Sequence, residues 1–224
     1  MSSTACCSGF EHSGEPKGRV ESLHGLPTYV AEPSNNAEIK AVIVMIPDAF
    51  GWEFVNLRLQ SDIFADRLGV QCLLPDFMNG QFEIAVMYGW SEVQSLTDAI
   101  RLAHGTEITN SGKPLIDVAY VAHPSALELP VDIEKISMPT LISQGTEDFV
   151  LDKKGIKVIQ EVFEKKKTEA REGSEGQRYD IKVIEGAMHG FAVRGDPDDK
   201  AELEYAQIGE DQAVEWFKQW LVKT

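Results

Sequence analysis

His189 and Asp148 carry the chemistry that is easiest to read in this chain. His189 lies in Gly186-Ala187-Met188-His189-Gly190-Phe191, just after the strand-like run 179–184. Asp148 closes Gly145-Thr146-Glu147-Asp148, just after the strand-like run 140–144. A loop acid and then a loop histidine, each at the C-terminal end of a strand, match the last two members of a nucleophile–acid–histidine triad. In such a triad the imidazole moves the proton and the carboxylate orients the imidazole. The chemistry to expect is attack on a carbonyl, with a nucleophile supplied by an earlier strand.

Those loops need a sheet to hold them, and the hydrophobic pattern predicts one. Residues 1–18, rich in Gly, Ser, Glu and Pro, read as an irregular lead-in, and residues 19–224 as one domain. Leu26–Ala31 reads as an edge strand with Pro27 near its start. The apolar run 41–46 has the pattern of a strand buried on both faces. A helix over 53–68, ended by Gly69, leads to a strand at 70–74. Strands at 116–121 and 140–144 follow, with helices at 152–168 and 198–222. In the last helix Leu203, Ile208, Val214, Trp216, Phe217, Trp220 and Leu221 are expected to face the sheet. Apolar strands alternating with amphipathic helices give an α/β fold, a mostly parallel sheet with helices on both faces.

Composition excludes several function classes. The net charge of −15 argues against nucleic acid and anionic membranes as partners. No apolar stretch reaches the roughly 18 residues that cross a bilayer. The N-terminus lacks the basic and apolar regions of a signal peptide, so a cytoplasmic protein is expected. Cys6, Cys7 and Cys72 form no disulfide framework, and Cys72 reads as a small buried hydrophobe. No HExxH, CxxC, GxGxxG or Walker loop is present, so neither a metal nor another cofactor is expected. His123, after the 116–121 strand, is placed to line a pocket, while His12, His24 and His104 read as surface or loop residues.

Longer segments resemble the dienelactone hydrolase family of α/β-hydrolases, especially a fungal branch. They are residues 25–30, Ile46-Pro47-Asp48-Ala49-Phe50-Gly51-Trp52-Glu53, Pro75-Asp76-Phe77-Met78-Asn79-Gly80, Ala122-His123-Pro124-Ser125 and residues 186–195. The resemblance implies a single α/β-hydrolase domain with a cysteine, less often a serine, on a strand-to-helix elbow. It implies Asp148 as triad acid and His189 as triad base. Asp48 stands where many members carry a glutamate beside the nucleophile. Arg194 stands near an arginine that holds a substrate carboxylate, with a surface salt bridge as the plainer alternative.

The elbow departs from the family pattern. Gly80 is followed almost at once by the run 81–88, where members carry a longer stretch. A parallel crossover needs about a dozen residues or more, so either a lid and helix are lost or an exon is missing. Two registers remain open. In one, Met87-Tyr88-Gly89-Trp90-Ser91 aligns with the family's Gly-Tyr-Cys-Trp-Gly, and Gly89 replaces the nucleophile. In the other, Gly89-Trp90-Ser91-Glu92-Val93 is a partial G-x-S-x-G with Ser91 as nucleophile, and Val93 crowds a position that wants glycine. A third reading makes 82–103 one long helix with no elbow.

Two functions follow. In the first the chain hydrolyses an ester or lactone. Ser91 attacks, the Ala49 and Glu92 N–H groups hold the oxyanion, and Phe50, Trp52 and Trp90 shape an apolar pocket. In the second the nucleophile is lost, and the chain binds a small molecule or catalyses isomerisation or cyclisation through His189, Asp48 and Asp148. Either way the partner is a small-molecule substrate, and an exposed sheet edge leaves room for a homodimer.

Overall fold

A computed structural model describes residues 9–35, 38–48, 50–80, 95–169 and 178–221, with only the backbone for 95–98. The chain divides into two compact units, residues 1–95, 193–203 and 221–224 in the first and 96–192 and 204–220 in the second.

The first unit holds strands β1 (Arg19–Leu23), β2 (Leu26–Ala31), β3 (Val42–Val44) and β4 (Gln71–Pro75), and helix α1 (Val55–Leu68). Their order is β1-β2-β4-β3. β2 is antiparallel to both neighbours, whereas β3 and β4 run parallel, with α1 between them in sequence. α1 buries Leu57, Phe64, Ala65 and Leu68 and ends at Gly69, whose left-handed backbone (φ 66°) a glycine adopts without strain.

Two strand expectations are corrected in this unit. β2 is internal rather than an edge, because β1, unread in the sequence, covers it. Pro27 keeps its carbonyl for the sheet, where it accepts from the Asp76 N–H at 2.8 Å. Among the described residues β3 is buried on one face only: Ile43 is buried, but Val42 and Val44 are 48% and 53% exposed. Successive side chains point to opposite faces, and an all-apolar run does not reveal that only one is covered.

The second unit holds most of α2 (Ser95–Ala103), then β5 (Ala119–Ala122), α3 (Val131–Lys135), β6 (Thr140–Gly145), α4 (Lys153–Glu169) and β7 (Tyr179–Ile184). Two further helices, α5 (Phe191–Arg194) and α6 (Lys200–Leu221), pass between the two units along the chain. The strands run parallel in the order β5-β6-β7. Central β6 is buried along its whole length, as a parallel strand flanked on both sides should be. Ile156, Ile159 and Phe163 of α4 pack into one core with Ile133, Ile136 and Ile142. In α6, Val214, Trp216 and Phe217 are buried, and the Trp216 indole N–H donates to the Ala119 carbonyl at 2.9 Å. Leu203 departs from expectation: at 42% exposed it lies in the first turn of α6, outside the buried stripe that begins lower down.

The long-helix reading of 82–103 has a helical C-terminal part, Ser95–Ala103, while 81–94 lie outside the described residues. Among the described residues no helix is long and apolar enough to cross a membrane. No cluster of three or more His, Cys, Asp or Glu side chains among them could hold a metal ion.

Candidate active site

In the second unit the ends of three parallel strands bring chemistry together. β6 ends in the turn that carries Asp148, and β7 ends in the turn that carries His189. The two turns touch: the Glu147 N–H donates to the Ala187 carbonyl, and the Gly186 N–H donates to the Thr146 hydroxyl. Gly145 is required here, because a Cβ would run into the Ala187 carbonyl. Gly186 (φ 83°) turns the chain back toward the acid, with the Tyr205 hydroxyl where a side chain would stand.

His189 Nδ1 lies 2.9 Å from Asp148 Oδ2. The Asp148 carboxylate is fully buried and satisfied on both oxygens. Oδ2 also accepts from the Gln144 amide at 2.8 Å, and Oδ1 from the Val150 and Leu151 N–H groups at 2.7 and 3.2 Å. Burial works to raise this carboxyl, but the His189 hydrogen bond and charge, the Val150 N–H and the Gln144 amide outweigh it and leave the acid below its ordinary range. An ionised carboxylate only accepts, so Nδ1 carries the imidazole proton and Nε2 presents its lone pair. At that lone pair stands the Ser125 hydroxyl, 3.3 Å away.

Aromatic rings hold the imidazole from the sides. His123, buried, meets it edge-on with ring centres 4.9 Å apart and packs on Phe191 at 5.5 Å. Phe149 meets it at 5.4 Å and is itself half exposed. His123 therefore lines the histidine's surroundings. Ser125, Gln144 and Phe149 are what the sequence reading missed. Ser125 had a signal, a hydroxyl just beyond the end of β5, but loop serines are common and nothing local marks the one that meets a histidine.

The first unit holds the other expected residues. Arg194 Nε lies 3.2 Å from Asp48 Oδ2, with the guanidinium 5.0 Å above the Phe50 ring. The Arg194 side chain is 5% exposed and that of Asp48 16%. The alternative of a surface salt bridge is thereby corrected: the arginine is buried, because α5 ends in a turn that hydrogen bonds to the lead-in and to α1. The Arg194 carbonyl accepts from the Phe10 N–H, and Asn56 donates to the Phe10 and Val193 carbonyls. His12, expected as a loop residue, tethers the lead-in, its Nε2–H donating to the Gly195 carbonyl at 2.8 Å. The second carboxylate oxygen of Asp48 accepts from the Phe50 N–H and shapes its own loop. Trp52 stacks under the Arg58 guanidinium at 4.8 Å.

Ala49, Trp90, Ser91 and Glu92 lie outside the described residues. Cys72 is no substitute nucleophile. It is fully buried, and burial, assisted by the Asp62 charge, pushes its thiol up to about 12.

Comparison with known proteins agrees with this architecture. Residues 103–221 match the model of the dienelactone hydrolase family. Among curated proteins, the "Hydrolase tropI" of Talaromyces stipitatus is 25% identical, the match covering 99% of this chain and 98% of that protein. The "Dienlactone hydrolase 1" of Gibberella moniliformis is 24% identical over 97% of this chain and 94% of its own length. The first match runs over 261 aligned positions against 224 residues here, so that relative carries residues this chain lacks. Among solved structures, a putative dienelactone hydrolase from Klebsiella pneumoniae superposes with a TM-score of 0.61 at 18% identity, covering 87% of this chain and 93% of its own. An esterase from Thermogutta terrifontis superposes at 0.53 and 16% identity, over 89% of this chain and 94% of its own. These likenesses give the chain the α/β-hydrolase fold.

Proposed function

The chain belongs to the dienelactone hydrolase family, and we propose that it hydrolyses a small ester or lactone, with His189 as general base and then acid. The observation that carries this reading is the 2.9 Å bond from His189 Nδ1 to a buried, depressed Asp148 carboxylate. That bond fixes the tautomer in which Nε2 is a base, and it stabilises the imidazolium formed when Nε2 takes a proton. That bond leaves Nε2 ready to take a proton from a nucleophile, a role the sequence reading gives to Ser91. The names of the relatives, a hydrolase, a dienelactone hydrolase and an esterase, support the same reaction class.

The reaction then runs as two acyl transfers. The hydroxyl loses its proton to Nε2 as its oxygen bonds to the carbonyl carbon, and the leaving alkoxide takes that proton as the C–O bond breaks. Water enters by the same route and frees the carboxylic acid. The edge of Phe149 beside the imidazole favours an apolar acyl group, and the net charge of −15 favours a neutral substrate. The Asp48–Arg194 pair serves to hold the loop that carries Phe50.

The test is hydrolysis of a panel of p-nitrophenyl esters and neutral lactones by the purified chain and by His189→Ala. We expect turnover by the wild type and a loss of about 10⁶-fold in kcat in the variant. A folded wild type that turns over no panel member, or a variant within tenfold of it, would overturn the reading.

A further inference from the structure

We propose that the nucleophile His189 activates is Ser125. This rests on the hydrolase reading and deepens it. Three observations converge. The first is atomic: Ser125 Oγ lies 3.3 Å from His189 Nε2, the imidazole atom left as a base. Because Nδ1 holds the ring proton, the Ser125 O–H is the donor in that bond, as a triad nucleophile must be. The distance is long for a hydrogen bond, and catalytic contacts commonly tighten only around the reacting substrate.

The second observation is topological. Asp148, His189 and Ser125 leave the C-terminal ends of three neighbouring parallel strands, β6, β7 and β5. Brought together by the sheet, they form a serine–histidine–aspartate array within one unit. The third is backbone conformation. His123 (φ 39°) and Ala126 (φ 55°) both adopt the left-handed region and bracket Pro124-Ser125. Neither is glycine, and non-glycine residues held there cost energy that clusters at functional sites. The turn places Ser125 just beyond the end of β5, with its hydroxyl toward His189. The Ala126 N–H follows the serine in the chain, the place from which an elbow donates to the oxyanion.

The step balances without another reactant. The Ser125 proton passes to Nε2, the Oγ–carbonyl bond forms, and the ester C–O bond breaks with that proton leaving on the alcohol. Water then gives a proton to Nε2 and its oxygen to the acyl carbon, the Oγ–acyl bond breaks, and Ser125 recovers its proton. The reading also accommodates the disturbed stretch around Gly89: a chain whose usual elbow lacks its cysteine keeps a hydroxyl at the imidazole.

Fluorophosphonate labelling of the full chain, with the adduct mapped by peptide mass spectrometry, decides the matter. We expect the adduct on Ser125, its loss in His189→Ala, and a fall in ester turnover of at least 10⁴-fold in Ser125→Ala with an unchanged near-ultraviolet circular dichroism spectrum. Should Ser125→Ala fail to fold, Ser125→Cys serves instead, and its thiol is expected to react with iodoacetamide at least tenfold faster than in the double variant with His189→Ala. An adduct on Ser91 overturns the assignment and leaves the hydrolase reading standing. A folded chain that hydrolyses esters but takes no label does the same. A folded chain that neither labels nor hydrolyses overturns both.

Discussion

Each of the two units buries a carboxylate against a nitrogen-bearing side chain, and of these two pairs only one has a second nitrogen through which to pass a proton onward. In the second unit Asp148 meets His189 at 2.9 Å; in the first, Asp48 meets Arg194 at 3.2 Å. Both pairs are largely withdrawn from water, and both fix a loop. An imidazole held through one nitrogen has a second nitrogen to offer a substrate, which can both take and give a proton. A guanidinium stays charged at every accessible pH and only donates. Similar geometry therefore equips one pair to pass a proton onward and leaves the other only to hold its charge in place. The difference lies in the partner of the acid rather than in the acid.

The comparison breaks most visibly in Asp148→Asn. The amide forces the wrong tautomer or the wrong ring orientation on His189, so kcat is expected to fall by about 10⁴-fold. Urea unfolding should show the variant still folded. A loss under tenfold would place Asp148 with Asp48 as a merely structural acid.

The converse test is Arg194→Met. Removing one member of a buried pair leaves the other charge uncompensated, and the expected cost is about 3 kcal/mol of stability in urea unfolding. A stability change within about 0.5 kcal/mol, with turnover lost instead, would move Arg194 from the scaffold to the chemistry.

The smallest effect expected is the acid dependence of stability. The Asp148 carboxyl is lower in the folded chain than in the unfolded one. Its contribution is thus present in full above the unfolded value, about 3.9, and is lost as pH falls through the lower folded value. Urea midpoints measured from pH 6 downward should drop in the wild type once pH passes below about 4, and drop less in Asp148→Asn. Parallel curves for the two proteins would show that Asp148 is not held below its ordinary range.

Ser125 marks the limit of reading a chain along its length. It lies 64 residues from His189 in sequence, and no periodicity or motif spacing joins the two. The parallel order β5-β6-β7 joins them, by lining up the ends of three strands. Arg194 teaches a similar lesson. Its residue type suggests a charge at the surface, but the Asn56 amide and the lead-in hold its turn against α1, and the guanidinium is buried with Asp48.

Sequence by itself determined the alternation of strands and helices, the glycines at the turns, and the acid-then-histidine order, because these are local properties of side-chain size, hydrophobic period and backbone freedom. Tertiary structure alone decided which donors satisfy Asp148, which face of β3 is covered, that Pro27 lies inside a sheet, and which hydroxyl meets Nε2. Those outcomes depend on how loops and strands meet in space, which no local pattern along the chain records.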